Sequence, residues 1–244
     1  MPRTLKARWL GRRRYEPVLA LQRRLFAERQ AGQGEDVVLF VEHDPVITLG
    51  RGAKMQHLLA SKDHLAKAGI DLAEVERGGD ITLHAPGQLV CYPIVDLRPD
   101  RCDVRRYVQG LADAMRGVIQ PYGIDAGLVD GMVGLWVDDA NRGTWPGQTA
   151  AKSLAKIGAI GVRLSRWVTM HGYALNLSTD LRLFGLIVPC GISNHPVTTL
   201  QTLIGEAVTV ESCVPRAYAE LCRVLEAEPV GLVDESHSEL DSSA

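Results

Sequence analysis

The residue best placed for covalent chemistry is Cys190, which stands between Pro189 and Gly191. Proline fixes φ before the thiol and glycine frees the backbone after it, so the sulfur is presented on a sharp turn. Of the other four cysteines, Cys91, Cys213 and Cys222 fall in strand- or helix-like runs and Cys102 beside a helix cap. Those positions suit a thiol that packs as a small hydrophobe. A thiolate attacks acyl groups well only when a neighbour lowers the thiol pKa or takes its proton. The candidates for that neighbour are Lys156, His84, His171 and His195.

Lys156 is one of only six lysines and opens the apolar, glycine-rich run KIGAIGV. If that strand is central, the ammonium sits at the edge of the core, where desolvation lowers its pKa and makes it usable as an acid or base. A strand-end lysine that reaches solvent is the plainer alternative. The run MHGYALN follows at 170–176, and His171 alone also fits a hydrogen-bonded structural role. A third segment, RGGDITLHAPGQ at 77–88, sets two glycines between strands and a Pro-Gly turn nearby. Such glycines let backbone approach a ligand closely. A plain hairpin with a surface arginine and a strand-end histidine fits the same residues.

Several classes are excluded. No P-loop, strand-following G-x-G-x-x-G, G-x-S-x-G or H-E-x-x-H occurs, and no Cys/His cluster has zinc spacing. No metal is therefore expected. A net charge of −2 argues against a nucleic-acid binder with a broad basic face. The 244 residues, 46% hydrophobic and 23% charged, fit an ordinary globular chain. The uncharged stretch 183–205 holds too many polar groups for hydrocarbon, and the basic start has no apolar segment before Pro17. A soluble, cytoplasmic protein of a reducing compartment is expected.

The elements that position these residues follow from period and punctuation. Helices are expected at 17–31, 61–68, 103–120, 197–204 and 211–228, with Asp103 capping the third. Strands are expected at 37–41, 46–49, 72–76, 80–84, 89–94, 132–137, 157–164 and 173–177. Strands outnumber helices in the middle, which suggests an α+β fold: a mixed sheet with helices packed on one side. Residues 1–232 read as a single domain and 233–244 as an acidic, disordered tail.

Together these segments resemble the octanoyltransferase family, also called lipoate–protein ligase B. The family's R-G-G-x-x-T-x-H-x-P-G-Q-x-x-x-Y-P run is matched over 77–93 and its G-[VL]-W-[VI] over 134–137. K-I-x-[AS]-[IL]-G-V is matched over 156–162, H-G-x-A-L-N over 171–176, P-C-G-I over 189–192 and V-T-[ST]-L over 197–200. Residues 42–46 and 48–51 resemble its entry segment. Leu83 departs from a common aromatic residue, and Ala85 and Cys91 from common glycines. These three are expected to touch the acyl pocket and so to bear on chain-length preference.

The resemblance implies an α+β fold similar to the catalytic domain of lipoate and biotin protein ligases. It implies an acyltransferase that moves octanoyl from octanoyl-acyl carrier protein to a lysine of lipoyl domains, the first step of lipoate biosynthesis. The acceptors would be the lipoyl domains of 2-oxoacid dehydrogenases and glycine cleavage proteins. No cofactor is implied, because a thioester is already activated. Cys190 would form the octanoyl-enzyme and Lys156 would take the thiol proton. Arg77, Gly78, Gly79, Asp80, Ile81, Thr82, Leu83 and His84 correspond to the family's acyl-binding backbone, with Ala159, Ile160, Gly161, Gly172, Tyr173 and Ala174. Glycines there would bring main-chain N–H groups to the thioester oxygen. An ATP-dependent lipoate or biotin-type ligase, a non-catalytic carrier-protein-binding module and a Cys–His hydrolase are the alternatives. Because the net charge is negative, docking an acidic carrier protein would need a local basic patch, for which Arg12, Arg13, Arg14, Arg142, Arg163 and Arg166 are the candidates.

Overall fold

Residues 37–41 and 89–94 are apolar at nearly every position, the pattern of strands covered on both faces. The computed structural model describes residues 3–189 and 195–239. Cys190 lies outside the described residues. In chain order the elements are β1 (Arg3–Arg13), α1 (Tyr15–Gln30), β2 (Val37–His43), β3 (Val46–Leu49), α2 (Lys62–Lys67), β4 (Asp71–Glu74), β5 (Ile81–His84) and β6 (Gln88–Ile94). Then come α3 (Val104–Ile119), β7 (Gly127–Val129), β8 (Met132–Asp138), β9 (Leu154–Ser165), β10 (Val168–Asn176), α4 (Leu200–Ile204), α5 (Val210–Leu225) and β11 (Ala227–Asp234).

Eight strands form one mixed sheet in the order β11-β1-β2-β6-β10-β9-β8-β7, and β4-β3-β5 form a smaller one. β1 runs parallel to both its neighbours, and every pair from β2 to β7 is antiparallel. Val38, Phe40, Leu89 and Cys91 point to the layer that holds Leu111 and Met115 of α3 and Leu221 of α5. Leu39, Val41, Val90 and Tyr92 point to the opposite layer, which holds Val18, Leu19 and Phe26 of α1. Helices therefore cover both faces, not one, and this is why the central strands lack a polar side. Asp103 does cap α3, accepting from the N–H groups of Arg105 and Arg106.

Several boundaries move for physical reasons. The basic start is β1, whose Leu5, Ala7 and Trp9 alternate inward between Thr4, Lys6 and Arg8. The expected tail begins inside β11, and Glu235 beyond it is tied back by Arg8 at 2.6 Å and by its own N–H on the Trp9 carbonyl. Val233 and Asp234 thus belong to β11, paired with β1, and Arg13 holds the carbonyls of Glu235, Ser236 and Ser238; residues 240–244 of the expected tail lie outside the described residues. α4 starts only at Leu200, because Thr199 caps it by accepting from the Thr202 N–H.

Four of the candidate docking arginines are ion-paired. Arg12 pairs with Asp44, Arg14 with Asp71, Arg142 with Asp139 and Arg163 with Glu76. Arg13 donates to the carbonyls of Glu235, Ser236 and Ser238. Arg166 sits with Trp167 in the β9–β10 turn, both with positive φ, as the two-residue hairpin geometry requires. Among the described residues no helix is long and apolar enough to cross a membrane.

Gly172 marks where β10 crosses closest to β6. A Cβ there would sit 2.2 Å from the Cys91 carbonyl oxygen, inside a paired strand that cannot yield. Gly172→Ala is expected to cost about 3 kcal/mol of unfolding free energy. Gly185→Ala, whose Cβ meets nothing within 4 Å, should stay within about 0.5 kcal/mol. Urea denaturation of both variants reads the difference, and equal stabilities would contradict the packing account.

Candidate active site

The cavity forms where β9 and β10 are stripped of bulk. Their register sets Gly161 opposite Gly172, Ile160 opposite Tyr173 and Ala159 opposite Ala174. The loop before β5 lies on this surface, with the Gly78 N–H donating 2.9 Å to the Val162 carbonyl. Arg77 is buried, and its guanidinium donates to the carbonyl and hydroxyl of Thr48 at 2.7 and 2.9 Å. A Cβ on Gly161 would come within 3.0 Å of Arg77 Cδ, and one on Gly50 within 2.7 Å of its Nη1. Glycine at both positions lets the arginine lie flat against the sheet. A cleft remains, walled by these β9 and β10 residues, by Arg77, Gly79, Thr82 and His84, and by Tyr15, Tyr92 and His171.

Thr82 and Ala159 also line a small adjoining cavity that reaches Lys156, Phe184, Pro189 and Val197. Lys156 is only 5% exposed. Its N–H donates to the Pro196 carbonyl and its carbonyl accepts from the Thr198 N–H, both at 2.9 Å. Its Nζ stands 5.6 Å from the centre of the fully buried Trp136 ring, against which His195 packs edge-on. Gly134 makes room for the lysine: with φ +140° it needs glycine, and a Cβ there would meet Lys156 Cε at 2.5 Å.

A polar relay joins the two cavities. His84 Nδ1 lies 2.7 Å from Gln88 Oε1, Gln88 Nε2 donates to Asn176 Oδ1 at 2.8 Å, and Asn176 Nδ2 donates to the Thr198 carbonyl at 3.2 Å. Because Gln88 Nε2 serves as the donor, its oxygen accepts and His84 Nδ1 carries the proton. Thr198 is bonded in turn to Lys156. At the mouth, the Asp80 carboxylate holds His57 and accepts from the Lys54 N–H. His57 receives the Val188 N–H on its carbonyl at 2.8 Å, and the Leu59 N–H donates to Leu186 at 2.9 Å. Asp80 thereby anchors the stretch that ends at Pro189.

Four of the expected acyl-binding residues stand outside the cavity walls. β5 alternates, so Thr82 and His84 face the cavity while Ile81 and Leu83 face an apolar cluster with Ile47, Leu65 and Ile187. Asp80 faces the mouth, and the Gly78 N–H is spent on Val162, so it is not an oxyanion donor. Leu83 and Ala85 belong to that apolar cluster and Cys91 to the α3–α5 layer. The three departures therefore do not touch the cavity. Tyr15 escapes a reading by motif, since nothing in an aromatic residue at a helix start signals a cavity wall. Tyr92 and His171 lie inside the quoted motifs.

Burial depresses three imidazoles. Desolvation takes His43 and His171 to about 3, and His84 to about 4 despite its hydrogen bond with Gln88. His84 is neutral at pH 7. Taking a proton from a thiol of ordinary pKa, roughly 8.5, would be uphill by more than four units. Among the described residues no group of three or more His, Cys, Asp or Glu side chains is set to hold a metal ion.

Comparison with known proteins agrees with this architecture. Residues 14–222 match the family model "Lipoyl protein ligase A/B catalytic domain". A Chloroflexus aggregans protein named octanoyltransferase is 43% identical over 229 residues, covering 93% of this chain and 98% of its own. An octanoyltransferase of Myxococcus xanthus is 43% identical over 221 residues, covering 91% of this chain and 59% of its own. The bipartite lipoate protein ligase of Thermoplasma acidophilum, solved in a study with its E2 lipoyl domain, superimposes with a TM-score of 0.70 at 15% identity. It covers 98% of this chain and 90% of its own, and at that identity it speaks for the fold alone.

The buried histidines make stability depend on pH. Each has a folded-state pKa below its unfolded value of roughly 6.5, so its contribution is complete above that pH and is lost as pH falls. Unfolding between about pH 6 and 4.5 should therefore take up as many as three protons from these groups. His84→Gln should lower the slope of unfolding free energy against pH by about 1.4 kcal/mol per unit. Urea titrations across that range measure it, and an unchanged slope would contradict a neutral, buried His84.

Proposed function

This chain belongs to the lipoyl protein ligase A/B catalytic-domain family, and from that premise we propose that it transfers an octanoyl group from octanoyl-acyl carrier protein to a lysine of lipoyl domains. One observation carries this reading: Lys156 and Pro189, the residue before Cys190, line one cavity that shares Thr82 and Ala159 with the largely apolar cleft of β9 and β10. A proton carrier, the neighbour of a thiol and a binding site for an apolar chain converge there. The relatives named octanoyltransferase support the same substrate.

The chemistry divides into two acyl transfers. Lys156 takes the Cys190 thiol proton, and the thiolate attacks the thioester carbonyl. The carbon–sulfur bond to the carrier breaks, and its thiolate leaves with the proton that Lys156 returns. The acceptor amine then attacks the Cys190 thioester, giving its proton to Lys156. That proton passes to the departing Cys190 sulfur, and an amide remains on the lipoyl domain. The cleft holds the chain in one orientation throughout, turning each step into a positioned, effectively unimolecular one. A ligase reading would need ATP and a free acid, and no phosphate-binding motif is present in the sequence.

The test combines intact mass and turnover. Incubation with octanoyl-carrier protein should leave a single octanoyl adduct on the wild-type chain and none on Cys190→Ala. Transfer to a lipoyl domain should fall by roughly a thousandfold or more in Cys190→Ala. Retention of a tenth of the activity, or modification of the lipoyl domain from free octanoate and ATP, would contradict the proposal.

A further inference from the structure

The end of the cleft remote from Lys156 is not built for a methyl group. His171 lies opposite Val162, six residues along β9 from Lys156, or about 20 Å at the rise of a strand. It lines the cavity, is 1% exposed, and its Nε2 has no hydrogen-bond partner among the described residues. The ring is also held there at a cost. His171 has φ +59°, a conformation that L residues other than glycine rarely adopt. It cannot relax, because its N–H is held by Gln22 Oε1 at 3.2 Å and Gly172 next to it is wedged against the Cys91 carbonyl. Gln22 Nε2 is likewise buried without a partner among the described residues.

We propose that this end of the cleft binds a hydroxyl at the ω end of an acyl chain, with His171 as its specificity-determining residue, so that ω-hydroxyacyl groups are transferred as well as octanoyl. The proposal rests on the acyl-transfer reading above. A buried polar atom without a partner is disfavoured, and a methyl-terminated chain leaves Nε2 unsatisfied. A neutral imidazole offers one donor and one acceptor nitrogen, and a hydroxyl can do both, so it satisfies Nε2 in either tautomer.

The experiment compares octanoyl, 8-hydroxyoctanoyl, decanoyl and 10-hydroxydecanoyl thioesters of carrier protein, in the wild type, His171→Phe and His171→Asn. The quantity read is the ratio of kcat/KM between hydroxylated and plain chains of one length, in which a rate or folding defect common to both cancels. A purely apolar chain end rejects an added hydroxyl by roughly a hundredfold. The wild type should keep at least one hydroxylated chain within threefold of its plain counterpart. His171→Phe should lower that ratio at least tenfold, and His171→Asn, which retains a hydrogen-bonding group, should restore most of it. Hundredfold rejection by the wild type at both lengths, or the same ratio in His171→Phe, would overturn the proposal. Failure of plain octanoyl transfer by the wild type would instead defeat the acyl-transfer reading, and this inference with it.

Discussion

A lysine buried inside a β-strand is the constraint around which the rest of the site is arranged. Burying an amine is costly unless its surroundings are made for it. Here Gly134 surrenders its side chain to admit the Lys156 stem, and Nζ stands 5.6 Å from the centre of the Trp136 ring. The backbone of Lys156 is tied on both sides to residues 196 and 198. That tie brings the chain after residue 194 to the lysine, while the Asp80–His57 clasp brings residues 186–188 to the same mouth. The described residues on either side of 190–194 are thus held near one amine.

The same economy of side chains makes the acyl cleft. Gly161 and Gly172 face each other and let Arg77 and β6 close in, so a narrow space remains that is apolar along most of its length. Its two imidazoles, His84 and His171, are kept neutral by burial beside the Arg77 guanidinium. A neutral imidazole suits a neighbouring hydrocarbon better than a buried imidazolium, which needs water. The relay from His84 through Gln88 and Asn176 to Thr198 then couples the wall of the cleft to the backbone of the lysine, without a charge along the way.

Much of this was legible in the residues because each motif solves one local problem. The glycine of the G-L-W run, the lysine at the head of K-I-G and the glycines of β9 and β10 are where spacing and structure coincide. β3 at Val46–Leu49 and the Asp103 cap follow the expected positions because turn and cap chemistry are local. What escaped depends on partners distant in sequence. β1 reads as a basic terminus because arginines crowd its outward positions, although Leu5, Ala7 and Trp9 alternate inward. β11 contains Pro229 and Gly231, which read as loop, and it becomes a strand only by pairing with β1. The helix at α1 is expected from its period, but that it covers the second face is not legible, since strand hydrophobicity alone does not say how many faces are covered. Asp80 and His57 are 23 residues apart, and no periodicity joins them.

The central claim is that Lys156, rather than a histidine, sets the reactivity of Cys190. The most direct measurement is the rate of iodoacetamide alkylation of Cys190 against pH, resolved by peptide mass because Cys102 is exposed and reacts too. An adjacent amine that accepts the thiol proton favours the thiolate. The account predicts that the reactivity midpoint of the wild type lies well below that of Lys156→Met, while His84→Gln follows the wild type. Coincident profiles for wild type and Lys156→Met, with His84→Gln displaced instead, would contradict it.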